Sequence, residues 1–252
     1  MLPLSASDLL ELSEQVASCP PVEQALVMLT FAFPHAPAAA LTDLTIGQRD
    51  ACLLQLRALT FGPRLKGLAV CPACGERLEM TFDASDLGGS GSSLPEPGSG
   101  EVGNPEASFT LEPYEVTYRL PNSADLRLIT RLDDPALARK KLLESCVLKV
   151  RRGKKALAVT ELPESVFEAL SARMGQAEPL ADLTLAVTCS ACQHQWKVLF
   201  DIVSFFRDEI ITWAARLMRE VHILASAYGW READILAMNP WRRQRYLELI
   251  GV

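Results

Sequence analysis

Two Cys-x-x-Cys pairs, Cys71-Pro-Ala-Cys74 and Cys189-Ser-Ala-Cys192, constrain this chain more than any other feature. Each is preceded by Leu-Ala-Val and followed, eight residues after its second cysteine, by Phe-Asp. Leu78, Met80 and Phe82 fall at the same offsets from Cys74 as Trp196, Val198 and Phe200 do from Cys192. That two-residue alternation is the pattern of a strand with one buried face, so each copy reads as a metal knuckle running into a strand. Together the two half-sites offer four thiolates, a ligand set suited to tetrahedral Zn2+. Four sulfur ligands leave no coordination position for water, and the zinc is therefore expected to be structural rather than catalytic. Residues 75–188 lie between the pairs, far more than the roughly 15–20 residues of a compact site. The spacing predicts a zinc ribbon split by a large insertion that has elements of its own.

Other uses of these thiols can be weighed. A dithiol redox couple expects a βαβ setting in which the first cysteine opens a helix, whereas strand-like alternation follows both pairs here. Iron–sulfur ligation by the same four thiolates stays open. A zinc deaminase needs His-x-Glu, but His35, His194 and His222 are followed two residues later by Pro37, Trp196 and Leu224. His194 reads as an exposed turn residue beside Cys192. No nucleophile elbow, phosphate-binding glycine loop or His-Glu-x-x-His helix is present. The carboxylate pairs Asp133-Asp134 and Glu232/Asp234 stand where helix starts are expected. No catalytic residue is nominated.

A chain of 252 residues that is 49% hydrophobic can bury a core of its own. Its N-terminus lacks a basic region and its first apolar run is interrupted by Glu11 and Glu14, so no signal peptide is expected. No apolar stretch of about 18 residues predicts a membrane span. Seven cysteines in such a chain read as thiols of a reducing compartment, with Cys19, Cys52 and Cys146 as small buried hydrophobes.

The fold class expected is α+β: a split four-cysteine zinc ribbon with a large insertion, flanked by N-terminal helices and a C-terminal helical arm. Residues 1–65 read as helical, with Ser5 or Ser7 as a cap, a break at Pro34 and Pro37, and a helix over 46–59. The first knuckle and strand occupy 66–86. Composition then turns to Gly, Ser and Pro, which predicts a flexible linker over 87–107. A mixed α/β insertion follows over 108–182, with two strands about Glu112-Pro113, a basic turn at Arg151-Arg-Gly-Lys-Lys155, and a helix from Glu164 stopped by Gly175. The second knuckle and strand span 183–202. In the arm, 203–252, Val203, Phe206, Ile210, Trp213, Leu217, Val221 and Leu224 draw one stripe along a long helix. Gly229 ends it, and Asn239-Pro240 opens a last helix.

The net charge of −6 argues against a chain devoted to gripping phosphates. Two short basic clusters, Arg151-Arg152-Lys154-Lys155 and Arg242-Arg243-Arg245, are nonetheless compatible with nucleic acid. A zinc-ribbon nucleic-acid-binding regulator is thus the alternative function. The arm exposes Trp230, Trp241, Arg242, Arg243 and Tyr246 as candidates for a partner-binding face, because Trp, Tyr and Arg are enriched at interface hot spots.

Several motifs recur together: the knuckle ending in Phe-Asp, then Glu220-Val-His-Ile-Leu-Ala225, Ala227-Tyr-Gly-Trp230, Ala233-Asp-Ile-Leu236 and Arg242-Arg-Gln-Arg-Tyr246. With these the chain resembles the baseplate hub assembly proteins of T-even-type contractile phage tails and of phage-derived contractile injection systems. The resemblance is firmest over residues 183–250 and takes in 68–87 and the Arg119-Leu-Pro-Asn-Ser-Ala-Asp125 turn. It implies a non-enzymatic assembly factor or hub component, partnered by hub or tape-measure proteins. It also implies a cytoplasmic location during assembly and no catalytic residues.

Overall fold

In the computed structural model, residues 1–87 and 104–251 are described. The greater part of the expected linker, residues 88–103, lies outside them. Its near flank is a 3-10 turn, Ala84–Leu87, whose Leu87 is buried, and its far flank leads into a strand at Ala107.

Four helices open the chain: α1 (Ala6–Ser18), α2 (Pro21–Ala32), α3 (Ala38–Asp43) and α4 (Ile46–Phe61). α1 starts where the sequence expects it, since the Ser5 hydroxyl accepts the Asp8 N–H and the Asp8 carboxylate accepts the Ser5 N–H, a reciprocal cap. α2 stops at Ala32, just before Pro34. α4 outruns its expected end at residue 59 by two residues, and Gly62, at φ 92°, turns the chain out of it.

Strands β1 (Arg64–Val70) and β2 (Arg77–Asp83) form the first knuckle hairpin. The insertion holds β3 (Ala107–Leu111), β4 (Tyr114–Tyr118), α5 (Ser123–Ile129), α6 (Pro135–Cys146), β5 (Val147–Arg152), β6 (Lys155–Ala156) and α7 (Glu164–Ala177). β3 to β6 make one antiparallel sheet in chain order. The helix expected to stop at Gly175 runs on to Ala177, because Gly175 sits in the helix with open space about it. Its end is set instead by Glu178, which leaves the helical conformation at φ −132°, ψ 78° ahead of Pro179. β7 (Thr184–Thr188) and β8 (Gln195–Leu199) form the second hairpin, and α8 (Ile202–Tyr228), α9 (Glu232–Leu236) and α10 (Pro240–Leu249) complete the chain. Gly229 caps α8 in the left-handed conformation.

Three apolar cores follow this order. The largest packs α1, α2 and α4 against the first half of α8, with Leu12, Met28, Leu53, Phe206 and Ile210 fully enclosed. A second lies inside the insertion around Val116, Cys146, Val166 and Leu170. A small third core, Leu224, Ile235 and Leu247, folds α9 and α10 back on the end of α8. Cys52 and Cys146 are buried as expected, and burial pushes their thiols up to about 12 and about 11; Cys19 is only half-buried.

The insertion is fastened to the first core by polar groups. Glu178 accepts from the Thr45 hydroxyl and, at 3.1 Å, from the Gly47 N–H at the start of α4, where a carboxylate also meets the positive end of the helix dipole. A Cβ on Gly47 would come within 2.9 Å of the Glu178 Cδ, so a larger residue would have to displace the Glu178 side chain. Ile46 N–H donates to Pro121 O at 3.0 Å. Beside it Arg119 grips Asp125 with two hydrogen bonds, at 2.5 and 2.7 Å. Burial would raise the Asp125 pKa, but Arg119 and the Asn122 N–H outweigh it and hold the carboxyl below its usual range.

Candidate metal centre

Each cysteine pair sits at the tip of a hairpin, and the two tips are built alike. In the first, Cys71 N–H donates to Glu76 O and Gly75 N–H donates to Cys71 O, both at 2.9 Å. In the second, Cys189 N–H donates to His194 O at 2.9 Å and Gln193 N–H to Cys189 O at 3.0 Å. The residue after the second cysteine takes positive φ in both, 76° at Gly75 and 60° at Gln193. The first cysteine of each pair is buried and the second exposed.

The tips meet head to head. Cys71 Sγ is 3.6 Å from Cys192 Sγ, and Cys74 Sγ is 3.6 Å from Cys189 Sγ. All four sulfurs lie within 4.8 Å of one another. Thus the buried thiol of one knuckle faces the exposed thiol of the other, which relates the two hairpins by a local pseudo-twofold. The same relation brings Phe82 and Phe200, at matching offsets, edge to face with ring centroids 5.4 Å apart.

These distances fit one tetrahedral metal ion. Four sulfurs about 2.3 Å from a shared Zn2+ would stand about 3.8 Å apart, close to the 3.6 Å seen for the two facing pairs. An iron–sulfur cluster inserts its own irons and sulfides between the thiolates and holds them farther apart. Protonation alone suits the cluster poorly. Loss of hydration works against a Cys71 thiolate, but the N–H groups of Cys74 and Ala73, with the neighbouring thiols, bring its pKa down to about 7. The Glu76 N–H favours a Cys74 thiolate, yet the surrounding sulfurs prevail and push it up to about 12. A divalent cation would favour the thiolate form of each sulfur that it touched.

What holds the tips in register is the packing at the hairpin bases. α4 feeds β1 and β8 feeds α8, and the two helices are clamped together. Arg57 donates to both Glu209 oxygens, at 2.7 and 2.8 Å, and to Gly62 O at 2.7 Å. Phe61 stacks on Trp213 with centroids 5.4 Å apart and meets Phe206 edge-on at 5.9 Å. Trp213 belongs to the apolar stripe of the sequence, which carries no signal for Arg57 or Glu209. They are 152 residues apart in sequence, and only their proximity in three dimensions makes them partners.

His194 stays outside the sulfur cluster, exposed and stacked on Trp196. The five arm residues divide. Trp230 and Tyr246 are half-buried; Trp230 stacks on Tyr228 with centroids 4.4 Å apart and meets Tyr246 edge to face at 4.8 Å. Arg243 is buried at 3% exposure, bound to Glu220 at 3.1 Å and to Met238 O at 3.1 Å, so it faces the arm's core and not the surface expected of it. Trp241, at 73% exposure, and Arg242, which lies over the Tyr246 ring, face outward. Among the described residues no helix is long and apolar enough to cross a membrane.

The model of the T4 bacteriophage base plate protein family matches residues 35–207. That span takes in both knuckles, the insertion and the Arg119–Asp125 turn. It begins within the N-terminal helices, which the sequence resemblance had not reached, and ends in the first turns of α8, short of most of the arm. No curated protein and no solved structure matches the chain.

Proposed function

The chain belongs to the T4 bacteriophage base plate protein family, and from that premise we propose that it is a non-enzymatic assembly factor or structural component of the central hub in a contractile-tail base plate. In this reading one Zn2+, held by Cys71, Cys74, Cys189 and Cys192, locks the two hairpins together. The observation that carries the metal assignment is the convergence of four sulfurs, from knuckles far apart in sequence, within 4.8 Å. A site closed by four thiolates offers no position for substrate, so the zinc contributes folding free energy and not chemistry. Joining residue 71 to residue 189 also closes the chain around the insertion and fixes where the arm leaves the body.

The arm then serves as the docking element for hub or tape-measure proteins of a phage tail or a related contractile injection system. Its outward side chains Trp241 and Arg242 sit on a rigid base of Trp230, Tyr246 and the Arg243–Glu220 pair. The protein works in the cytoplasm during assembly and is carried into the tail if it remains bound. Affinity purification with the cognate tail proteins present tests this. Wild-type protein is expected to retain hub or tape-measure proteins, and the double variant Trp241→Ala with Arg242→Ala to release them while its melting curve and metal content stay unchanged. Retention of the partners by that variant would move the interface elsewhere, and retention of DNA instead would favour a nucleic-acid-binding regulator.

A further inference from the structure

Each knuckle hairpin is a sheet of two strands only, so β2 and β7 each keep one edge that no strand joins among the described residues. Which peptide groups face that edge follows from the ladders. In the first hairpin Cys71 N–H donates to Glu76 O and Ala84 N–H to Pro63 O, and the register between these points is unbroken. Bonded pairs alternate with unbonded ones along an antiparallel ladder, which makes Ala69–Leu78, Gly67–Met80 and Leu65–Phe82 the bonded pairs. The N–H and C=O groups of Glu79 and Thr81 therefore point away from β1. In the second hairpin Cys189 N–H donates to His194 O and Phe200 N–H to Leu183 O, again with an unbroken register. By the same count the peptide groups of Ala186 and Thr188 point away from β8.

The two edges face a single cleft of about 360 Å³, whose walls are the consecutive runs 78–82 and 185–188. Successive strand residues point to opposite faces, so a wall made of consecutive residues is the edge of a strand and not one of its faces. The cleft thus presents main-chain donors and acceptors from both sides. Beside them lie Leu78, Met80, Phe82, Leu185 and Val187, the less exposed residues of each alternation. Leu78 and Met80 are half-buried yet join none of the three apolar cores.

The chemistry of the walls states what would fill it. A row of free peptide groups is a template for another extended main chain. Exposed edges are commonly guarded by lysine, proline or a bulge, and neither β2 nor β7 carries any of the three. Glu79 is the one charged residue of the lining, so the walls hold no cation for a nucleic acid or an acidic chain. Apolar residues on one side of the cleft, with Thr81, Ala186 and Thr188 on the other, suit a strand that is apolar on one face and neutral on the other.

We propose that the cleft between β2 and β7 binds an extended, uncharged segment of a partner protein, which enters as a strand between the two hairpins. Its main chain pairs with the outward peptide groups of Glu79, Thr81, Ala186 and Thr188, the mode known as β-augmentation. Its alternate apolar side chains cover Leu78, Met80 and Leu185. The site uses none of the four cysteines and goes beyond the hub reading, which requires nothing between the hairpins.

The probe is a short fluorescent peptide of alternating Val and Thr, read by anisotropy with the full chain. It is compared with the same peptide N-methylated at alternate amides and with a counterpart that has Lys in place of Val. Saturable binding of the Val-Thr peptide is expected. N-methylation, which removes the pairing bonds, should weaken it roughly tenfold or more, and so should loss of the apolar residues. On the protein side, Thr81→Pro and Ala186→Pro each delete an N–H that no hairpin bond uses, a position where a strand tolerates proline. Each should weaken binding to a similar degree with a melting curve near that of wild type, while Thr81→Ala should bind as wild type does. Because N-methylation alters only the peptide, it tests the edges even if a proline variant folds poorly. Absent saturation, equal binding of either control peptide, or full binding by both well-folded proline variants would overturn the proposal. So would a dimer in sedimentation that Thr81→Pro dissolves, which would put a second copy in the cleft.

Discussion

The two knuckle hairpins repeat one design with two departures. Their sulfur geometry and turn hydrogen bonds match, as a shared tetrahedral ion would require, and Phe82 and Phe200 meet from matching offsets. The Leu-Ala-Val tripeptides leading into the knuckles are displaced by one residue relative to the cysteines. Leu-Ala-Val abuts Cys71, but Thr188 intervenes before Cys189. Counting back two from each first cysteine gives Ala69 and Val187, and these are the residues that face inward. A one-residue shift exchanges the faces of a strand, so Leu68 and Val70 point to solvent at 74% and 60% exposure while Leu185 is half-buried. The second departure is at the turn, where the first knuckle has glycine at positive φ and the second has Gln193. The two hairpins agree where the four sulfurs converge and differ away from them.

The largest expected effect would break the equivalence of the knuckles if it failed. Cys71→Ser, Cys74→Ser, Cys189→Ser and Cys192→Ser should lower the melting midpoint alike, and chelator should bring wild type to the same value. If the buried Cys71 and Cys189 mattered while the exposed Cys74 and Cys192 did not, the first pair would be core thiols and not ligands. Next in size is the aromatic contact: Phe82→Ala and Phe200→Ala should each cost about 2 kcal/mol in denaturant unfolding. Because the rings touch, the double variant should fall short of additivity by about 1 kcal/mol.

The strand phase is tested by serine substitutions read in the same way. Leu185→Ser should cost about 1–2 kcal/mol, whereas Leu68→Ser, at the superficially matching position, should cost less than about 0.5 kcal/mol. The smallest effect belongs to the turns. Gly75→Gln should destabilise by about 1 kcal/mol, and Gln193→Gly should stabilise by about 0.5 kcal/mol as the strained conformation is relieved.

Much of this was legible in the sequence because its causes are local. Ser5 and Asp8 announce α1, Gly229 announces the end of α8, and the paired Cys-x-x-Cys spacing announces two halves of one site. The mirrored Leu-Ala-Val tripeptides, in contrast, suggested a closer match than exists, since identity of words hides a change of phase. Gly175 misled because a glycine within a helix costs only about 1 kcal/mol, which the packing of Val166, Phe167 and Leu170 overrides. Arg243 read as a surface cation because nothing in the sequence joins it to Glu220. The contacts of Glu178 with Thr45 and Gly47 were equally hidden, as they arise only when the insertion docks on α4.

The central claim is that both knuckles serve a single metal ion. Native mass spectrometry of the purified chain, with elemental analysis, tests it most directly. One zinc per chain is predicted for wild type and none for any of the four Cys→Ser variants. Two metal ions per chain, or a Cys71→Ser protein that keeps its zinc, would contradict it.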